Sequence, residues 1–195
     1  MTARLLIVGP QGSGKGTQGV RIAEALGIPA VSTGDIFRAN IKGGTELGEK
    51  VKAITAAGNL VPDELTGEVV RDRLEQADAA QGFLLDGYPR NAGQAADLDA
   101  YLAGKGQALD AVILLEVPRE ESIARITQRA AEQGRSDDTE EVVAKRLAIY
   151  ESETAPIVGT YAERGILDRI DGVGSLDEIT SRIRAALAAR GIAAV

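Results

Sequence analysis

An α/β fold, a three-layer sandwich with a five-stranded parallel sheet between helices, is predicted by three features of this sequence. Five short apolar runs alternate with segments of helical periodicity, as parallel strands joined by crossover helices require. The first run, Leu5-Leu6-Ile7-Val8, passes directly into the glycine-rich stretch Gly9-Pro10-Gln11-Gly12-Ser13-Gly14-Lys15-Gly16-Thr17 and then into a helix. A later run, Phe83-Leu84-Leu85, ends in Asp86, and open α/β sheets place their ligands at the C-terminal ends of their strands.

In chain order, strands are expected at Arg4–Val8, Ala30–Ser32, Gly82–Asp86, Ala111–Val117 and Ile166–Ile170. The first helix runs from Lys15 to Leu26, with Gly27 as its C-cap. Roughly 50 residues follow the second strand, where a simple crossover needs only about a dozen. They carry helical patterns broken at Gly43-Gly44 and at Gly58-Asn59-Leu60-Val61-Pro62, which predicts a small helical insertion. It either moves as a unit or packs as a fixed layer. A second, polar interruption from Gln128 to Asp138 separates a helix beginning near Pro118, a favourable first-turn residue, from one beginning near Thr139. Ile123, Ile126 and Ala130 make the apolar stripe of the first of these helices, and Val143, Leu147 and Tyr150 that of the second. Ser175 and Glu178 form a capping box before Leu176, Ile179, Ile183 and Leu187, which recur on one helical face. The 195 residues contain no internal repeat or long linker, and are read as a single domain with insertions at 32–61 and 128–138.

Composition narrows the chemistry. Hydrophobic content of 44% and charged content of 26% are ordinary for a globular protein. No run approaches the length of a membrane span and the N-terminus lacks a signal-sequence pattern, so a cytoplasmic protein with no membrane partner is expected. The absence of Cys and His excludes disulfides, Cys/His zinc sites and imidazole bases. A net charge of -7 argues against nucleic-acid binding, so any anionic ligand has to be drawn in by local positive groups.

Such groups are present. Gly9, four residues, Gly14 and Lys15 match the phosphate-binding P-loop, in which glycines let backbone N–H groups approach phosphate oxygens at a helix N-terminus. Gly16 stands where that pattern has Ser or Thr, and the hydroxyl arrives one place later at Thr17. Asp86 reads as a Mg²⁺ holder, directly or through water, or as a turn-forming Asp before Gly87. Arg125 and Arg129 share a helix face, and Arg135 and Arg146 follow around the polar interruption. Singly each suits a solvated basic face; together, with Arg38 and Arg90, they suit phosphate contact.

Taken in order, Gly9 to Gln18, Ser32-Thr33-Gly34-Asp35 with Arg38, Gly82 to Arg90 with Gln94, Arg125 with Arg129, and Arg135 through Asp138 with Arg146 resemble the adenylate kinases. These nucleoside monophosphate kinases interconvert ATP and AMP with two ADP. The resemblance covers nearly the whole chain and implies a P-loop NTPase fold, with 32–61 as the NMP-binding region and 128–138 as a short lid. It implies that Gly12, Ser13, Gly14, Lys15, Gly16 and Thr17 hold ATP phosphates, with Gly16-Thr17 the family's usual form of the loop. Arg125 and Gly174 are implied at the ATP base and Arg129 at the ATP phosphates. Thr33, Arg38, Asn59, Leu60, Val61, Gly87, Tyr88, Pro89, Arg90 and Gln94 are implied at AMP, and Arg135 and Arg146 between the reacting phosphates. Gln94 stands where the family reads the adenine edge with an amide, and Thr33 matches the adenylate pattern over the pyrimidine one.

The implied catalytic set is Lys15, Arg90, Arg129, Arg135 and Arg146, with Mg²⁺ held through water by Asp86 and no zinc. An AMP phosphate oxygen is already anionic near neutral pH, so the lack of a general base is no obstacle. Asp137 and Asp138 are expected to pair with nearby Arg and help hold the lid closed, Asp138 having helix N-capping as its other reading. The implied partners are ATP, AMP and ADP, and the implied state is a monomer. A UMP/CMP-type kinase and a non-catalytic nucleotide switch are the alternatives.

Overall fold

The computed structural model describes residues 2–133 and 139–193. Strands β1 (Ala3–Val8), β2 (Ala30–Ser32), β3 (Gly82–Asp86), β4 (Ala111–Glu116) and β5 (Leu167–Asp171) form one parallel sheet in the order β2-β3-β1-β4-β5. The strand that feeds the glycine-rich loop is therefore the central one. Ile7 is in register with Asp86 of β3 on one side and with Ile113 of β4 on the other.

Alternation of side chains explains why these strands read as unbroken apolar runs. Leu6, Val8, Phe83, Leu85, Val112 and Leu114 enter one core, while Leu5, Ile7, Leu84, Ala111, Ile113 and Leu115 enter the other. The second core is closed by α1 (Lys15–Leu26) and α9 (Leu176–Ala189), through Ile22, Ile179, Ile183 and Leu187. Gln18, fully buried between these helices, donates to the Leu176 carbonyl at 3.0 Å and accepts from Thr180 at 2.7 Å.

The insertion is three helices, α2 (Thr33–Gly43), α3 (Glu46–Ala56) and α4 (Asp63–Leu74). Phe37, Val51 and Val61 make a small core of their own, joined by Leu65 and Val69. Val70 and Leu74, one turn further along α4, belong instead to the main core. Helix α4 thus anchors the insertion to the sheet, beyond the boundary at residue 61 that the sequence suggests. The other face of the sheet is completed by α5 (Ala92–Gly104) and α8 (Ala155–Glu163), through Leu98, Leu102, Ile157, Val158 and Tyr161.

The region read as a polar interruption differs in part. Helix α6 (Arg119–Gln133) continues through Gln128 to Gln133, because Gln, Arg, Ala and Glu are good helix formers whether or not they are buried. Gln128 and Glu132 hydrogen-bond across one turn at 2.8 Å. Helix α7 (Glu140–Ile149) starts after Thr139, whose hydroxyl accepts from the Val142 N–H. It passes through a π-type turn at Tyr150–Thr154 into α8. Within the expected stripes, Ile126, Val143 and Leu147 are buried together, but Ile123 is 42% exposed and Leu176 is 51% exposed. Both lie in the first or second turn of a helix, where the periodic face has already turned past the edge of the core. Arg135, Asp137 and Asp138 lie outside the described residues. Among the described residues no helix is long and apolar enough to cross a membrane.

Candidate active site

The strand ends gather the site. β1 delivers the glycine-rich loop, and α1 begins at Lys15 after Gly14, which has φ of 88°. Gly12 also has positive φ, and a Cβ there would stand 2.4 Å from the Ser122 carbonyl oxygen of α6. Only glycine lets the loop pass this close to α6. Arg125 clamps the loop from α6: it donates to the Ser13 carbonyl at 3.4 Å and to the Gly172 carbonyl at 3.0 Å, with Glu121 at 2.7 Å. The predicted ATP-side residues Arg125 and Ser13 are thereby linked to the segment carrying Gly174. That glycine has φ of 130°, and a Cβ on it would lie 2.9 Å from the Glu178 carboxylate of the capping box.

Lys15 turns back to donate to the Pro10 carbonyl at 3.2 Å. Burial pulls its ammonium below the ordinary lysine value; Asp86 opposes that shift, while Arg90, Arg129 and Arg146 add to it. The loop, the end of β3, α6 and α7 thus bring Lys15, Asp86, Arg90, Arg129 and Arg146 within electrostatic reach of one another. Four half-buried cations set around one carboxylate make a candidate site for a polyanion. Thr17, in the first turn of α1, is exposed.

Asp86 ends β3 facing the loop, with Oδ2 3.5 Å from where a Gly16 Cβ would be. A Cβ on Gly16 would be in ordinary van der Waals contact with that carboxylate. Burial pushes the Asp86 carboxyl above the usual carboxylate range, against the pull of Lys15 and Arg90. Its Oδ1 is buried without a hydrogen-bond partner. A buried carboxylate oxygen left unpartnered beside a phosphate-type loop fits a hydrated magnesium ion, which keeps several waters and needs few protein ligands.

Beyond Asp86, Gly87 turns the chain with φ of 83°, and Tyr88-Pro89 is a cis peptide. The Gly87 carbonyl accepts from the Thr33 hydroxyl at 3.0 Å and from Arg90 Nε at 2.8 Å. Thr33 is almost fully buried here, at the start of α2. Tyr88 donates to Asp97 at 2.9 Å, and Arg71 of α4 pairs with the same carboxylate at 2.7 Å. Burial, with the Asp97 hydrogen bond, pushes the Tyr88 phenol up, so it stays a donor. Arg38 lies over Gly34 and pairs with Asp35 at 2.5 Å. Asn59 is exposed, Leu60 half-buried and Val61 part of the insertion core. Gln94 is buried, and its amide is bound at both ends, by the Arg90 N–H and by Asp63. Arg146 reaches from α7 to the Thr55 carbonyl at the end of α3, at 3.1 Å, joining the two sides of the cleft.

Two residues of this site carry no sequence signal. Thr154 donates to the Arg90 carbonyl at 2.6 Å, from the π-type turn of an otherwise continuous helix. Asp63 reads in the sequence as an ordinary acid in the first turn after Pro62, yet it holds both Asn91 and Gln94. Among the described residues no cluster of three or more acidic side chains suggests a separate metal centre.

Comparison with known proteins points in one direction. A family model described as adenylate kinase matches residues 7–166. The adenylate kinase of Kocuria rhizophila is 57% identical over 184 residues, covering 94% of this chain and 98% of that protein. That of Clavibacter michiganensis subsp. michiganensis is 59% identical, covering 97% and 94%. That of Thermobifida fusca is 54% identical, covering 96% and 99%.

Proposed function

The chain belongs to the adenylate kinase family, and from that premise we propose that the cleft between the glycine-rich loop and the helical insertion transfers a phosphoryl group from ATP to AMP. The observation that carries this reading is the convergence of Arg90, Arg129 and Arg146, each from a separate element, on Lys15, with Asp86 facing Lys15 and Arg90. A triphosphate donor and a monophosphate acceptor brought together need that much positive charge.

In this reading an AMP phosphate oxygen attacks the γ-phosphorus of ATP. A new P–O bond forms as the bond from that phosphorus to the β–γ bridging oxygen breaks, and ADP leaves on each side. The attacking oxygen needs no proton removed, which suits a chain without His. Gly12 to Thr17 receive the ATP phosphates on backbone N–H groups, and Lys15 exchanges the Pro10 carbonyl for phosphate oxygen. Arg90, fixed by its own contacts to Gly87, Gln94 and Thr154, meets the AMP phosphate. Arg129 and Arg146, with Arg135 from the lid, neutralise charge spread over the group in flight. Arg125 and Gly174 serve the ATP base, while Thr33, Arg38, the backbone of 59–61, Gly87 to Pro89 and Gln94 serve AMP. Asp86 would hold magnesium through water, and the ion supplies charge neutralisation on the phosphates when bound.

Residues 32–61 with α4 act as the acceptor-binding region and 128–138 as a short lid, with Asp137 and Asp138 helping to close it. Closure matters because water competes as nucleophile. The same reading, carried over from the family, makes the protein a cytoplasmic monomer working on ATP, AMP and ADP. The test is to supply Mg-ATP with AMP, GMP, CMP and UMP in turn. AMP should give the highest kcat/KM; a pyrimidine monophosphate in first place would overturn the acceptor assignment.

A further inference from the structure

A primary amide carries two lone pairs on oxygen and two hydrogens on nitrogen, and half a turn about its last torsion exchanges them. Which way it faces is decided by its neighbours. Gln94, 2% exposed, has neighbours that leave no choice. Its Oε1 accepts from the Arg90 backbone N–H at 2.8 Å, and its Nε2 donates to Asp63 Oδ1 at 2.8 Å. A backbone N–H can only donate and a carboxylate can only accept. Turning the amide would set donor against donor at one end and oxygen against oxygen at the other.

Asp63 is itself held in place. Asn91 Nδ2 donates to its Oδ1 at 2.9 Å and to its Oδ2 at 3.2 Å, and Asn91 Oδ1 accepts from the Gln94 backbone N–H at 2.9 Å. The ring Asp63–Gln94–Asn91 joins the first residue of α4 to the first turn of α5. Each end of the Gln94 amide keeps one further hydrogen-bonding direction: a lone pair on Oε1 and a hydrogen on Nε2.

Those two directions match one kind of purine and oppose another. Adenine offers a donor at its 6-amino group and an acceptor at N1. A 6-oxopurine of the same shape offers an acceptor at O6 and a donor at N1. An amide free to turn would bind both; an amide fixed as here accepts from the amino group, donates to N1, and meets the 6-oxopurine with like against like. We infer that Asp63, which the family resemblance does not assign, is a specificity-determining positioning residue: by fixing the Gln94 amide it selects 6-aminopurine over 6-oxopurine monophosphates. The inference rests on the reading above that Gln94 faces the acceptor base.

The experiment measures kcat/KM for AMP and for inosine monophosphate, with Mg-ATP as donor, in the wild-type chain, Asp63→Asn, Gln94→Ala and the double variant. Asp63 is exposed at a helix start, and Asp63→Asn is nearly isosteric, so the fold should survive it. An Asn there has both a donor and an acceptor and no longer dictates which end of Gln94 it faces. The AMP-to-inosine monophosphate ratio should fall about fivefold, the lower end of what a bidentate base contact discriminates. In the Gln94→Ala background, Asp63→Asn should change the ratio no further. A purely structural role would slow both acceptors alike and leave the ratio standing, which would overturn the inference while leaving AMP phosphorylation intact. If Gln94→Ala also leaves the ratio standing, the base-reading assignment falls and the inference with it. A wild-type chain that makes no ADP from AMP would remove the proposed function itself.

Discussion

At the scale of single residues, the site is an arrangement of groups that are poorly solvated and incompletely paired. Lys15 borrows the Pro10 carbonyl, and one Asp86 oxygen has no hydrogen-bond partner. Such groups gain more from an arriving ligand than from each other, which is what separates a binding site from a structural ion-pair network. Lys15→Ala should lower kcat by about 10² to 10³, the loss typical when one preorganised transition-state contact is removed. Its thermal unfolding should be little changed, because the side chain contributes no core contact; steady-state assay and calorimetry together check this. The glycine-rich loop, Lys15 and Asp86 were legible in the sequence because each follows directly on an apolar strand run, β1 for the loop and Lys15 and β3 for Asp86. Asp63 and Thr154 were not, because each acts on a residue at least 28 positions away.

At the scale of elements, strand alternation, the α1 and α9 stripes and the capping box could all be read from periodicity, since each follows from one element facing one core. Two features could not. Polarity suggested a break at Gln128, but a sequence of strong helix formers keeps α6 helical to Gln133. The π-type turn between α7 and α8 has no pattern of its own; it places Thr154 under the Arg90 carbonyl. Thr154→Val keeps the shape and removes that donor, leaving the Arg90 carbonyl short of a partner. It should destabilise the fold by about 1 to 3 kcal/mol in urea unfolding and raise KM for AMP more than KM for ATP. An equal change in both would mean that Thr154 does not support Arg90.

At the scale of the whole molecule, a chain of net charge -7 concentrates cations in one cleft, between a rigid sheet edge and an insertion with its own small core. The bulk charge argued against nucleic-acid partners, and the order of motifs along the chain pointed to the family. Neither could show how Arg146 ties α7 to the end of α3 across the cleft, since that contact joins residues 91 positions apart. The arrangement has one overriding purpose in this account: direct transfer between two nucleotides with water kept out. The most direct test follows the products of Mg-ATP and AMP by phosphorus NMR. Two ADP should form for each ATP and AMP consumed, with no orthophosphate; orthophosphate appearing as fast as ATP disappears, with AMP unchanged, would contradict it.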